Sequence, residues 1–197
     1  MRRTSAFFAL VAALLLVSAC SRSPRVTFYT LTPVAAAGAV QQNFSSAVAV
    51  GPVTIPELVN RPQLVVRLAP NRVDVLESHR WAEPLKNEIP RLLAQDLSPL
   101  LGSSRVFAYD QVSAAAAQYR VLVDIVRLDT VPGDSVTIEA GWVVRGAGNG
   151  RREGRAVIRE KVAGSDYEAV AAAFSRALAG LSAEVAKSVR SEAAGAK

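Results

Sequence analysis

SVTIEAGWVVR, residues 135–145, decides the fold. Val136, Ile138, Ala140, Trp142 and Val144 fall on one side of an extended chain, with polar or small residues between them. A period of two is the signature of a strand that buries one face. PGD at 132–134 and GAGNGR at 146–151 supply turn chemistry on either side. Working outward, residues 119–129 read as a preceding strand, mixed in pattern and therefore central. Residues 155–162 read as a following one, and the three make an antiparallel meander.

Beyond the meander the period changes. Tyr167, Val170, Phe174, Leu178, Leu181, Val185 and Val189 trace one stripe of a long helix, with Ser165 or Asp166 as its N-cap. The alanines around that stripe allow a close approach to a sheet, and SEAAGAK at the end reads as frayed. Upstream, SHRWAEPLKNEIPRLLAQDLSPLLG has helical spacing from Trp81 through Leu85, Ile89, Leu92, Leu93, Leu97 and Leu100. Pro84 suits a first turn, Pro90 and Pro99 predict kinks, and Gly102 predicts the stop.

Earlier still, residues 47–53 read as a buried strand that Pro52 and Pro56 confine to an edge or an early end. Strands are also expected at 63–68, at 72–76, at 105–109 and, briefly, near Val26 and Phe28. The fold class is α+β: a mixed, largely antiparallel sheet with a kinked central helix and a long C-terminal helix packed on it. It forms a single domain over residues 47–190. Residues 20–46 precede it as anchor, short strand and linker, and 191–197 follow as a flexible tail.

The chain opens MRRTSAFFALVAALLLVSAC, with a basic start and an apolar run of signal-peptide length. The run is short for a span of roughly 20 residues; a signal-anchor helix is the competing reading. Val17, Ser18, Ala19 and Cys20 resemble the bacterial lipobox. There the thiol takes a diacylglycerol, the peptide is cut before it, and the new amino group is acylated. Small side chains at 18 and 19 fit a protease cleft, and a thiol is the side chain nucleophilic enough for the transfer. Cys20 is the only cysteine, so it forms no internal disulfide. On this reading residues 1–19 are a signal peptide, and acyl chains on Cys20 hold the protein on a bilayer. Ser21 rather than Asp after the cysteine implies onward transport to the periplasmic face of the outer membrane.

The 197 residues are half apolar and carry a formal net charge of +6, which excludes a disordered chain. No basic run is interleaved with aromatics, so nucleic acid is not an expected partner. His79 is the only histidine, which makes a poor transition-metal site even with Glu77 and Glu83 close in sequence. It reads as a surface residue near a helix start. GAGNGRREGR lacks the Lys-Ser/Thr of a phosphate loop, and no nucleophile lies in a G-x-S-x-G setting. Trp81 and Trp142 read as core. No metal, no cofactor beyond the acyl chains and no enzymatic activity are expected.

FYTL at 28–31, VAVGPVTIPELVNRPQLVVRL at 48–68, HRWAEPL at 79–85 and DYEAVAAAFSRAL at 166–178 together resemble the ABC-type transport auxiliary lipoproteins. The resemblance implies an adaptor for a mammalian-cell-entry-domain protein that conducts lipid between membranes, and self-association into a ring. Candidate partner-binding residues are Ile55, Pro56, Glu57, Arg61, Pro62, Trp81 and Glu83. The rigid prolines lower the entropy lost on binding. Arg61 either meets a partner carboxylate or phosphate or pairs internally with Glu83 or Glu57. Trp81, Glu83 and Pro84 also suit a role in fixing the helix start. The alternative is a lipoprotein that carries lipid in an apolar cavity of its own.

Overall fold

In the computed structural model, which describes residues 25–34, 44–146, 148 and 150–195, the 135–145 stretch is a strand paired along both edges. The elements in order are β1 (Thr27–Tyr29), β2 (Val48–Thr54), β3 (Gln63–Ala69), β4 (Arg72–Trp81), α1 (Leu85–Leu101), β5 (Val106–Ala108), a 3-10 helix (Val112–Ala116), β6 (Tyr119–Val131), β7 (Ser135–Arg145), β8 (Arg151–Lys161) and α2 (Tyr167–Gly195). The signal peptide and Cys20 expected from the sequence lie outside the described residues, as do linker residues 35–43.

The α+β class is as expected, with the strands divided between two sheets. One has the order β1-β4-β3 and the other β5-β2-β6-β7-β8. The meander is present as β6-β7-β8, antiparallel throughout. Val136, Ile138, Ala140, Trp142 and Val144 are all buried, and Val136, Ile138 and Val144 each contribute roughly 1.5–3 kcal/mol of apolar burial. The β6–β7 turn closes with the Asp134 amide on the Val131 carbonyl at 3.1 Å. Gly133 takes φ 70° there, a conformation that favours glycine.

β2 departs from the expected edge position. It runs parallel to both β5 and β6, second of five in its sheet. Its ladder to β6 shifts register between Val50 and Val53, and its pairing with β5 stops at Val50. Pro52 therefore falls in an irregularity, where its missing N–H interrupts no ladder.

β4 is longer than residues 72–76, reaching Trp81, because Thr27, Phe28 and Tyr29 add a parallel partner opposite His79, Arg80 and Trp81. The Trp81 amide also donates to the Pro62 carbonyl at 2.7 Å. The central helix consequently starts at Leu85, with Pro84 in the N-cap position. α1 stays helical through Pro90 and Pro99. Those prolines remove only the bonds to the carbonyls of Lys86 and Gln95, both exposed residues. Gly102 ends α1 in the left-handed conformation, with its own amide on Pro99 and the Ser103 amide on Ser98.

α2 begins where Asp166 Oδ1 accepts the Ala169 amide at 2.7 Å. It is long and apolar enough to cross a membrane, yet most of that apolar stretch is buried in the fold. Gly180 allows the helix to lie close on Ile158, where a Cβ would sit 3.0 Å from Cγ2. The expected tail from residue 191 is instead helical as far as Gly195. Its Glu192 is only 6% exposed and fills space beside Gly146 and Gly150 that side chains there would occupy. Arg67 of β3 donates to Asp129 of β6 at 2.7 Å, joining the two sheets over one continuous core.

Candidate functional site

β1 begins seven residues after Cys20 and is an outer strand of the smaller sheet. Its side chains alternate. Tyr29 points inward, its hydroxyl 2.8 Å from His79 Nδ1, and His79 packs against Tyr167 with ring centroids 4.3 Å apart. His79 is thus a half-buried strand residue rather than a surface residue at a helix start. Burial raises the Tyr29 phenol above its ordinary value, with Asp166, Tyr167 and Glu168 adding to it. Phe28 points outward and is 63% exposed; Val26, on the same side, is 36% exposed.

The chain leaving β1 is strapped across the helices by side chains that the sequence reading missed. Glu88 Oε1 accepts the Thr30 hydroxyl at 2.6 Å and the Leu31 amide at 2.8 Å. Ser175 Oγ accepts the Thr32 amide at 3.1 Å, and Asp96 Oδ1 accepts the Val34 amide at 3.2 Å. A non-regular segment laid over a core needs such acceptors for its amides. Both carboxylates are buried, and among the described residues neither second oxygen has a hydrogen-bond partner. Burial pushes the Asp96 carboxyl up to about 6, against the lowering effect of the Val34 amide. The one available signal was that Glu88 and Asp96 border the apolar stripe of α1.

The proline-rich turn folds around Val59, which is buried while its neighbours are not. The Val59 amide donates to Pro56 at 3.0 Å and the Asn60 amide to Glu57 at 3.3 Å. Ile55 and Pro56 are half-buried; Glu57, Arg61 and Pro62 are exposed. Among the described residues Arg61 has no ion pair, since Glu83 pairs with Arg91 and Glu57 meets Asn60. Trp81 lies beneath, 5% exposed, with its ring edge-on to Phe174 at 5.1 Å. The structure therefore joins Pro62 to Trp81 and keeps Arg61 apart from Glu83. Trp81 is a core side chain at the end of β4.

The void between the two sheets, bounded by Leu64, Trp81, Leu128 and Phe174, is about 10 Å³, room for one water. A wider concavity of about 620 Å³ opens on the larger sheet at Pro52, Leu122, Asp124 and Val143. Among the described residues no three His, Cys, Asp or Glu side chains gather as metal ligands.

The chain belongs to the ABC-type transport auxiliary lipoprotein component family, whose model matches residues 29–186. It is therefore a membrane-anchored, transport-associated lipoprotein. Its fold is similar to that of an uncharacterized protein of known structure, with TM-score 0.70 and 17% identity over 84% of this chain and 99% of the other. It is also similar to a Xanthomonas campestris protein of the DUF330 family, with TM-score 0.65 and 18% identity over 81% and 92%. At such identities the likeness is one of fold. No curated protein matches the chain.

Proposed function

We propose that this lipoprotein is the adaptor subunit of a mammalian-cell-entry-type intermembrane lipid-transport system. Cys20 carries the diacylglycerol and the amide-linked acyl chain, and Ser21 directs the protein to the outer membrane, where the domain faces the periplasm. The role is one of binding rather than catalysis. The observation that carries this reading is the 55–62 turn: a proline-stiffened surface with an exposed arginine that has no ion pair among the described residues. A turn held in shape by Val59 loses little entropy when a partner docks. Self-association into a ring would present several copies of it to one conduit.

The competing reading, a carrier with its own cavity, needs an enclosed apolar space. Ligand sites run from roughly 300 Å³ upward, whereas the void between the sheets holds about 10 Å³. The larger concavity is open to solvent and bears Asp124, Glu153 and Arg155 on its walls.

In-cell crosslinking of wild type and Cys20→Ser tests the proposal. Wild type is expected in the outer-membrane fraction, captured with a mammalian-cell-entry protein, and the variant is expected to lose both. Wild type that captures no such protein and co-purifies with lipid would transfer the case to the carrier.

A further inference from the structure

We infer that the outward side of β1, carrying Val26 and Phe28, is the surface on which the domain rests against the bilayer that anchors it. The inference depends on acylation of Cys20. Geometry then does the rest. Arg25 is the fifth residue after Cys20, and five residue steps reach at most about 18 Å however they are arranged. The far end of the domain lies beyond that range. Tyr167 packs on His79, which is opposite Thr27 in the β1–β4 ladder, so the start of α2 marks the β1 end. From there to Ser191 the helix rises roughly 36 Å. A leash half that length, attached at the β1 end, holds that end at the headgroups at every tilt of the domain and places no such constraint on the far end of α2.

The side chains at the near end suit an interface. Phe28 is the most exposed aromatic residue described, at 63%, and Val26 is beside it at 36%. Phe28 faces outward because its strand neighbour Tyr29 is held in the opposite sense by His79. The strand is thus fixed and cannot turn its aromatic ring inward. Exposed Arg25 precedes it, and Arg80, its ladder partner, is held by Glu77. The acidic Asp166 and Glu168 act on Tyr29, on the inward side. An apolar tip framed by long basic stems is the composition that settles at a headgroup boundary.

The test uses the full acylated lipoprotein in vesicles of phosphatidylethanolamine and phosphatidylglycerol, with and without brominated acyl chains. Phe28→Trp places a reporter in the inferred contact, and Ser191→Trp places one at the far end. Both positions are exposed, and the emission of the buried Trp81 and Trp142 is subtracted using wild type. The expected result is strong bromine quenching and a blue shift for the reporter at 28, with neither at 191. Val26→Trp should repeat the result for 28. If the protein co-floats with vesicles and the reporter at 28 is unquenched, the membrane contact is wrong while the anchor stands. Equal quenching at 28 and 191 would also overturn it, since the domain would then have no fixed seat. Protein that fails to co-float would remove the acyl anchor itself and the inference with it.

Discussion

The carboxylate of Asp96 receives the backbone amide of Val34 at 3.2 Å while only 2% exposed. One amide donor is too little for a buried charge, which is why burial raises its carboxyl to about 6 from an unfolded value near 3.8. A raised acid binds its proton more readily when folded. Its contribution therefore favours folding most below about pH 4 and is lost as pH climbs through about 6. Relative to Asp96→Asn, the wild-type domain should lose roughly 2 kcal/mol of stability between those values and change little above them. Denaturant melts of both proteins from pH 4 to 7.5 check this, and parallel curves would refute it. Asp134 is exposed and Glu139 half-buried; hydrogen bonds, chiefly from Ser135 and from Arg155 respectively, lower both carboxyls, opposite to the shift at Asp96.

Glu88 anchors the same strap through two donors, the Thr30 hydroxyl and the Leu31 amide. Glu88→Ala leaves a buried amide without an acceptor, a loss of roughly 1–3 kcal/mol. Glu88→Gln keeps the acceptor oxygen and should recover most of it. Hydrogen exchange separates a local effect from a global one: the alanine variant should lose protection at Leu31 and Thr32 before β7 is affected. Unchanged exchange at Leu31 would mean that the carboxylate is not what secures the strap.

The Trp142 indole lies across Gly154 of β8, and a Cβ on Gly154 would overlap its ring. The same indole donates from Nε1 to Ser188 Oγ at 2.9 Å, so it cannot shift without losing that bond. Gly154→Ala should cost roughly 1–3 kcal/mol by overpacking. Trp142→Phe, which frees the space and forfeits the hydrogen bond, should lessen the penalty of the glycine substitution when the two are combined. A thermal-melt double-mutant cycle reads this coupling, and strict additivity would contradict it.

These relationships differ in how far the sequence announces them. The β7 alternation and the α2 stripe are visible because one buried face repeats at a fixed period, and Gly102 and Asp166 are visible because capping is local. The pairing of residues 27–29 with 79–81 is parallel and joins segments about fifty positions apart, so nothing near Trp81 marks it as a strand end. Pro52 argued for an edge because its effect on a ladder is predictable, whereas the irregularity that neutralises it exists only in the assembled sheet. Glu88 and Asp96 looked like solvated helix residues until the strap crossed them. Glu192 looked like tail because the glycines that receive it lie more than forty residues earlier. Of the partner candidates, exposure at Glu57, Arg61 and Pro62 agrees with the reading of a surface turn, while Trp81 spends its ring in the core.

Arg61 allows partner binding and stability to be separated. It is exposed and has no ion pair among the described residues, so Arg61→Glu should leave the melting temperature within the small range of surface substitutions, about 0.5 kcal/mol either way. A partner carboxylate or phosphate facing it would then meet a like charge, and charge reversal at such a contact weakens binding strongly. Capture of the mammalian-cell-entry partner in cells should fall sharply for Arg61→Glu and less for Arg61→Lys, which keeps the charge without the planar fork. Capture equal to wild type in both variants would show that the partner docks elsewhere. A large loss of stability in Arg61→Glu would instead show that the arginine belongs to the fold, and the turn would then be a structural corner.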